Sequence, residues 1–328
     1  MKVYALRNND KVRNNSSSGG AFPAIAEAFF KRNAKNSMVY GVLFDSEMTL
    51  KYSYAENYEE CERFCGSKYV NVKIDGVFAD IEKQLQDGKR ILFVGLPCHV
   101  YALKKSIENK NLCKENLYLV DLVCNGVPEE NVWHQYVDYL EKNYKARLVD
   151  FKFRSKGDRR NPYRTEAIFS NGKTITDSNI TASYNRLYLQ KLIIRKSCFS
   201  CPFKSDKRNG DITISDFWGI ERYRPDLNDS KGVSLVITST EKGIELISDI
   251  NPGICLAEVD DVVIETTQEN LRGNLGFPPL YNSFWEDYKN GLDYVLKKYA
   301  DGGSIGKIRH LIRHLYRIIH SISKNNKQ

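Results

Sequence analysis

Ile91-Leu92-Phe93-Val94-Gly95-Leu96-Pro97-Cys98 is an apolar run closed by a glycine and a proline. Leu117-Tyr118-Leu119-Val120-Asp121-Leu122-Val123-Cys124 is a second, and His99 to Ile107 between them has helical periodicity. Short apolar runs bounded by turn residues read as buried strands. Strand, helix, strand in this order predicts a right-handed βαβ crossover with two parallel strands. Each run ends in a cysteine. Cys98 and Cys124 are therefore expected at carboxyl ends of parallel strands, where open α/β sheets bind ligands. Neighbouring strands lie about 5 Å apart, so two thiolates at matching ends can share one metal centre.

Working outward, Phe78 to Gln86 predicts a helix before this unit and Val132 to Asn143 one after it. Leu148 to about Ile180 alternates in polarity, which predicts antiparallel strands. Tyr184 to Ile194 reads as a helix, and Asp211 to Ser215 and Ser234 to Thr238 as short strands. Towards the N-terminus, Val3 to Leu6 predicts a strand that leads to a polar turn ending Ser16-Ser17-Ser18-Gly19-Gly20. A helix follows, with Phe22, Ile25, Ala26, Phe29 and Phe30 on one face and Pro23 in its first turn, where a missing N–H costs nothing. Val39 to Phe44 reads as a strand, and Glu56 to Phe64 as a helix that stops at Gly66-Ser67-Lys68-Tyr69-Val70. The fold class is mixed α/β (α+β): a partly parallel sheet with βαβ units and an antiparallel strand region, with helices on the faces.

The 328 residues, 41% hydrophobic and 27% charged, are those of a globular protein with ample core. The net charge of +8 is uneven: Gly303 to Gln328 holds six Lys or Arg and no acid. The body is close to neutral, which excludes a broad nucleic-acid footprint. No secretory signal is legible at the N-terminus and no apolar run is long enough to span a bilayer. A cytoplasmic location follows as the expectation, and eight reduced cysteines then point to metal or redox chemistry rather than disulfides.

Cys198 and Cys201 form a CxxC closed by Pro202. With Cys98 and Cys124 they make a candidate four-thiolate site, for which spacing alone leaves zinc and iron–sulfur open. Cys255 and Cys113 read as small core residues, and Cys61 and Cys65, one helical turn apart, as structural.

Several stretches resemble one family. They are Ser16 to Phe22, Gly66 to Val70, Phe93 to His99, Asp121 to Pro128, Phe153-Arg154, Cys198 to Lys204, and Asp211 to Gly219. Together they look like the coenzyme F420 hydrogenase/dehydrogenase β-subunit family, over about Val3 to Gly219. The resemblance implies a flavoprotein with FAD and one 4Fe–4S cluster, and it selects iron–sulfur for Cys98, Cys124, Cys198 and Cys201. Many bacterial members are associated with polysaccharide biosynthesis. This sequence starts at the Ser-Gly-Gly region without a ferredoxin-like module, so at most one cluster is expected. The implied segments are 1–75, contacting flavin; 76–300, catalytic and iron–sulfur; and 301–328, a basic amphipathic helix.

The flavin contacts implied are Ser17, Ser18, Gly19, Gly20, Ser67, Lys68, Tyr69, Asp216, Trp218 and Gly219. Ser16 to Gly20 combines hydroxyls, permissive glycines and a helix start, suited to a flavin phosphate; a capped helix after a tight turn is the plainer reading. Arg154, Lys156, Arg159 and Arg160, opposite Asp158, form a basic loop that suits an anionic substrate or plain solvation. His99, next to Cys98, reads as a hydrogen-bonding neighbour of a ligand or a satisfied helix-start histidine.

In the tail, Ile305, Ile308, Ile312, Leu315, Ile319 and Ile322 form an apolar seam flanked by basic residues. Such a helix lies on an anionic membrane surface, packs on a partner helix or docks on its own domain. The function expected is transfer of electrons between a ferredoxin-like partner and a small-molecule substrate or reduced carrier, by hydride exchange at flavin N5. A zinc-stapled scaffold in a cell-envelope assembly complex and a cluster-free flavoprotein are the alternatives. No catalytic acid or base is identified.

Overall fold

The computed structural model describes residues 1–33, 35–156, 163–273 and 276–300. The chain begins with β1 (Lys2–Arg7), a single turn α1 (Asp10–Asn14), α2 (Ala21–Arg32) and a hairpin of β2 (Ser37–Phe44) and β3 (Leu50–Ala55). Next come α3 (Val77–Gln86), β4 (Arg90–Gly95), α4 (Pro97–Asn109), β5 (Leu117–Leu122) and α5 (Glu130–Tyr144). Then β6 (Leu148–Lys152), β7 (Glu166–Phe169), β8 (Thr174–Thr176) and α6 (Asn179–Leu189) follow. The last part holds β9 (Ile212–Asp216), β10 (Ser234–Thr238), α7 (Glu241–Ser248), β11 (Cys255–Val259), α8 (Val262–Thr267) and α9 (Tyr281–Tyr288).

Eight strands form one sheet in the order β11-β1-β10-β9-β5-β4-β2-β3. The central four, β9, β5, β4 and β2, are parallel, and the flanking pairs are antiparallel. The βαβ unit expected from the two apolar runs is present: β4 and β5 are parallel neighbours, with Gly95 opposite Asp121. The sheet mixes strands from residues 1–75 with strands from 76–300.

Alternate residues of the central strands feed opposite faces, as a pleated strand requires. Leu92, Tyr118 and Val120 pack with Ile25 and Phe29 of α2 and Leu246 of α7. Ile91, Phe93, Leu117 and Leu119 pack with Ile81 of α3 and Val100 and Leu103 of α4. Both faces are covered, which is why these strands read as continuous apolar runs. A separate core joins α5, α6 and α9 to the three-stranded antiparallel sheet β6-β7-β8. Trp133 sits in it, its indole N–H donating to the Met48 carbonyl at 2.7 Å and its ring against Phe44, Phe153 and Tyr184.

Several expectations are corrected. The helix expected at Tyr184 to Ile194 starts at Asn179, because Ser178 and Thr181 form a reciprocal capping box. Glu59–Phe64 is a tight 3₁₀ turn rather than an α-helix. Cys113 is exposed, not a core residue; it stands just before the short turn that leads into β5. The helix expected over 301–328 lies outside the described residues.

Candidate active site

Four parallel strands present their carboxyl ends at one edge, and a cleft of about 710 Å³ opens there. Val42, Val94, Leu122 and Ile214, one from each strand, supply apolar wall. A cleft of this size with mostly apolar walls and few polar groups suits an organic cofactor or substrate. Tyr69 and Tyr188, stacked with centroids 4.4 Å apart, close part of it.

The polar loops come next. Ser17, Ser18 and Gly20 line the cleft, as do Ser67, Lys68 and Tyr69. The two loops are tied together: the Ser67 N–H donates to the Ser17 hydroxyl at 2.6 Å. Ser18 donates to the Val233 carbonyl at 2.9 Å and the Gly19 N–H to the Ser234 hydroxyl at 3.0 Å. Gly19 does not line the cleft. A Cβ there would stand 2.2 Å from the Leu6 carbonyl oxygen and 2.4 Å from the Ser234 nitrogen, so only glycine lets the loop pass against β1 and β10. Gly20, with φ 82°, is the N-cap of α2, and no side chain caps that helix. Ala21, Phe22 and Pro23 of its first turn line the cleft, which brings the positive end of the helix dipole to it.

Lys68 lines the cleft, but its ammonium donates to the carbonyls of Phe64, Cys65 and Gly66 at 3.2, 2.9 and 3.2 Å. Burial pulls it down to about 8, against weaker support from Cys65 and Asp150. Cys65, also on the wall, is pushed up to about 11 by burial.

On the opposite side stand Arg154, Asp216 and Trp218. The Arg154 guanidinium is 2.6 Å from the Asp216 carboxylate. Burial works against its charge, but Asp216 together with Tyr69 and Tyr163 outweighs this and keeps Arg154 protonated. The Tyr163 ring lies under the guanidinium at 5.2 Å and parallel to Trp218 at 6.3 Å. Gly219 shapes this wall without lining it; its φ of 75° starts a turn that sets Arg222 against it. Lys156 donates to the carbonyls of Ser18 and Lys231 and bolts the Ser-Gly-Gly loop in place. Asp158, Arg159 and Arg160 of the expected basic loop lie outside the described residues.

The cysteines meet just beyond. Cys98 and Cys124 each stand three residues past the paired positions Gly95 and Asp121, Cys98 in the first turn of α4 and Cys124 in the loop after β5. Cys124 is part of the cleft wall. Its thiol is pushed up to about 12, by burial first and then by Cys198, Cys98 and Cys201. Burial also raises Cys98, with Cys201 and Cys198 adding to it. The four sulfurs thus act on one another as a group. The Gly126 N–H points at the Cys124 sulfur and the Val127 N–H at the Cys198 sulfur, both at 3.4 Å. Among the described residues, no three His, Cys, Asp or Glu side chains stand in ready metal-holding positions. Thiolate ligands form most readily around a cation, and a donor set of four cysteines suits iron–sulfur or zinc.

The His99 ring is engaged by Tyr52, its Nδ1 3.1 Å from the Tyr52 hydroxyl. Burial, helped by Arg195, pulls it down to about 4, so it is neutral at ordinary pH. Below the thiols, Asp121 and Arg208 form a fully buried ion pair at 2.8 Å. Arg208 also donates to the Phe203 and Ser205 carbonyls, which fixes the loop after the CxxC to β5. Asp211 is structural too, accepting from the Leu119 N–H and the Thr240 hydroxyl, both at 2.8 Å.

Sequence reasoning missed Tyr52, Tyr188, Arg222 and the segment Thr266 to Asn270, all of which line the cleft. Among the described residues the buried Asn270 Oδ1 has no partner, an acceptor open to a ligand donor. Thr266 and Thr267 end α8 and carry no local motif that could have marked them. The cleft, the uncapped α2 terminus and this acceptor are of a kind that suits a flavin, and the four cysteines are the donor type a cluster takes.

A family model described as the C terminus of the coenzyme F420 hydrogenase/dehydrogenase beta subunit matches residues 88–261, more than half of the chain. None of the curated proteins matches it. Among solved structures, a chain of the xenon-derivatised F420-reducing [NiFe] hydrogenase complex from Methanosarcina barkeri is similar in fold. Its TM-score is 0.55 at 14% identity, over 89% of this chain and 94% of that one.

Proposed function

The chain belongs to the coenzyme F420 hydrogenase/dehydrogenase beta-subunit family, an oxidoreductase subunit family, and from this we propose that it is a flavin- and iron–sulfur-dependent oxidoreductase. In this reading it passes electrons between a one-electron protein partner and an organic substrate or a deazaflavin-type carrier. One observation carries it: Cys124 is at once a wall of the cleft and a member of the group of four thiols. A ligand in the cleft therefore stands next to whatever the thiols hold. That the similar solved chain comes from a hydrogenase complex supports a protein partner.

Ser17, Ser18 and Gly20, with the first turn of α2, would hold flavin phosphate, and Gly19 would carry the turn past β1 and β10 behind them. Ser67, Lys68, Tyr69, Asp216, Trp218 and Gly219 would shape the rest of the site, and Cys98, Cys124, Cys198 and Cys201 would hold the cluster. When bound, the flavin supplies two-electron exchange at N5 and the cluster single-electron transfer. The chain's own work is positional. The Tyr69–Tyr188 stack excludes water from one wall, and the Gly126 and Val127 N–H groups donate to two of the sulfurs. Arg154, held by Asp216, offers a fixed positive charge to an anionic ligand.

Anaerobic purification with a visible spectrum and iron, sulfide and flavin assays tests this. A brown protein that releases flavin on denaturation is expected. Cys198→Ser and Cys201→Ser should each lose the iron while the far-ultraviolet circular dichroism is kept. A colourless protein with stoichiometric zinc would establish the stapled scaffold instead, and a yellow iron-free protein the cluster-free flavoprotein.

A further inference from the structure

Between Lys191 and Arg208, the stretch that carries the CxxC, stand six Lys or Arg and one acid. Two of these cations are used inside: Arg208 on Asp121, and Lys204, which is buried. Lys196 and Lys207 are exposed. Neither has an ion-pair partner among the described residues, nor do the half-buried Lys191 and Arg195. The first turns of α4, which begin beside Cys98, reach the same place. Lys104 donates to the Asn209 carbonyl at 3.4 Å, just past the CxxC loop. The chain body is otherwise near neutral, so this is a local concentration of charge.

Exposed aromatic rings flank the same turn on both sides. Tyr101, 39% exposed, packs at 5.2 Å on Phe203, two residues after Cys201. Phe277, 54% exposed, stacks at 4.4 Å on Phe199, between the two cysteines. Pro202 is exposed between them, and Cys98, Cys198 and Cys201 are only half-buried. Apolar rings among unpaired cations make a docking surface for a protein of opposite charge, with aromatics anchoring and charges steering.

We propose that the surface around Cys198–Cys201 and the start of α4 docks a small acidic one-electron carrier protein. This rests on the reading of the four cysteines as a one-electron centre. In the docked pair one electron passes from the reduced carrier to that centre. The carrier is oxidised by one electron, the centre is reduced by one, and no bond or proton changes hands. The unpaired lysines neutralise the carrier's carboxylates on approach, and the rings cover the path from solvent.

The test titrates the purified full-length protein with an acidic plant-type [2Fe–2S] ferredoxin by calorimetry, at low and at high ionic strength. Binding should weaken with salt, and Lys196→Glu with Lys207→Glu should weaken it by at least about tenfold at low salt. The double variant should keep wild-type iron content and the same bleaching by dithionite. Absence of ferredoxin binding, or equal affinity in the double variant, overturns the proposal. So does a lysine-dependent affinity for phosphatidylglycerol vesicles without any for ferredoxin, which would make the patch a membrane contact. An iron-free protein that still binds ferredoxin through these lysines would sink the redox reading and leave the docking surface standing. Iron-loaded protein with lysine-independent binding would do the reverse.

Discussion

At the scale of the residue, the motif acids divide by role. Asp121 sits in a stretch that also contains Cys124, yet its carboxylate never reaches the cleft. It accepts from Arg208, from the Thr213 hydroxyl at 2.6 Å and from the Gly210 N–H at 3.2 Å. Removing one partner of a buried pair leaves the other charge uncompensated. Arg208→Met should therefore cost about 3–5 kcal/mol in urea unfolding, and adding Asp121→Asn should recover part of it. Cys98 and Cys124 were legible because a strand end is visible in sequence as an apolar run meeting Gly-Leu-Pro or Val-Cys-Asn. Tyr52 and Asn270 were not, since nothing local distinguishes a tyrosine or asparagine that faces a cleft from one that faces water. Lys68 shows a third case: its position on the wall was legible, while the three carbonyls that take up its ammonium depend on a loop shape no spacing rule encodes.

At the scale of the element, the parallel centre of the sheet was readable and its borders were not. Strands β4 and β5 are buried on both faces and stand out as apolar blocks. By contrast β3, LKYSYA, is buried only at its two ends, and β11 is an edge strand with no fully buried residue. Such strands owe their state to pairing rather than to composition. The Ser-Gly-Gly turn belongs to this scale too. Its glycines looked like phosphate contacts, and Gly19 proves to be the point where the turn crosses β1 and β10 without room for a methyl group. Gly19→Ala should displace the turn, lower stability by about 1–3 kcal/mol as overpacking does, and weaken flavin retention; thermal unfolding and flavin released on gel filtration measure the two effects. Wild-type stability with wild-type flavin content would show that the turn gives way harmlessly.

At the scale of the whole molecule, the cleft joins the βαβ centre, the N-terminal turn, α6 through Tyr188, and the end of α8. A ligand held by all four stabilises the folded state as a unit. Reconstituting flavin-stripped protein with FAD at a hundredfold excess over Kd should add about 2.7 kcal/mol, read as a rise in Tm; FMN or riboflavin giving the same rise would show that the adenylate half contributes nothing.

The strand order has a consequence for synthesis. β1, made before the other strands of its sheet, pairs on one side with Ser234–Thr238 and on the other with Cys255–Val259. At translation rates of about 5–20 residues per second, it waits on the order of ten to fifty seconds for those neighbours to be made. Through that interval the Ser-Gly-Gly turn has no β10 to cross, while the βαβ unit with Cys98 and Cys124 is already complete. Cys98 and Cys124 are in place early and the cleft is closed late, so under the proposed function a metal would find its first ligands before the turn could hold a flavin.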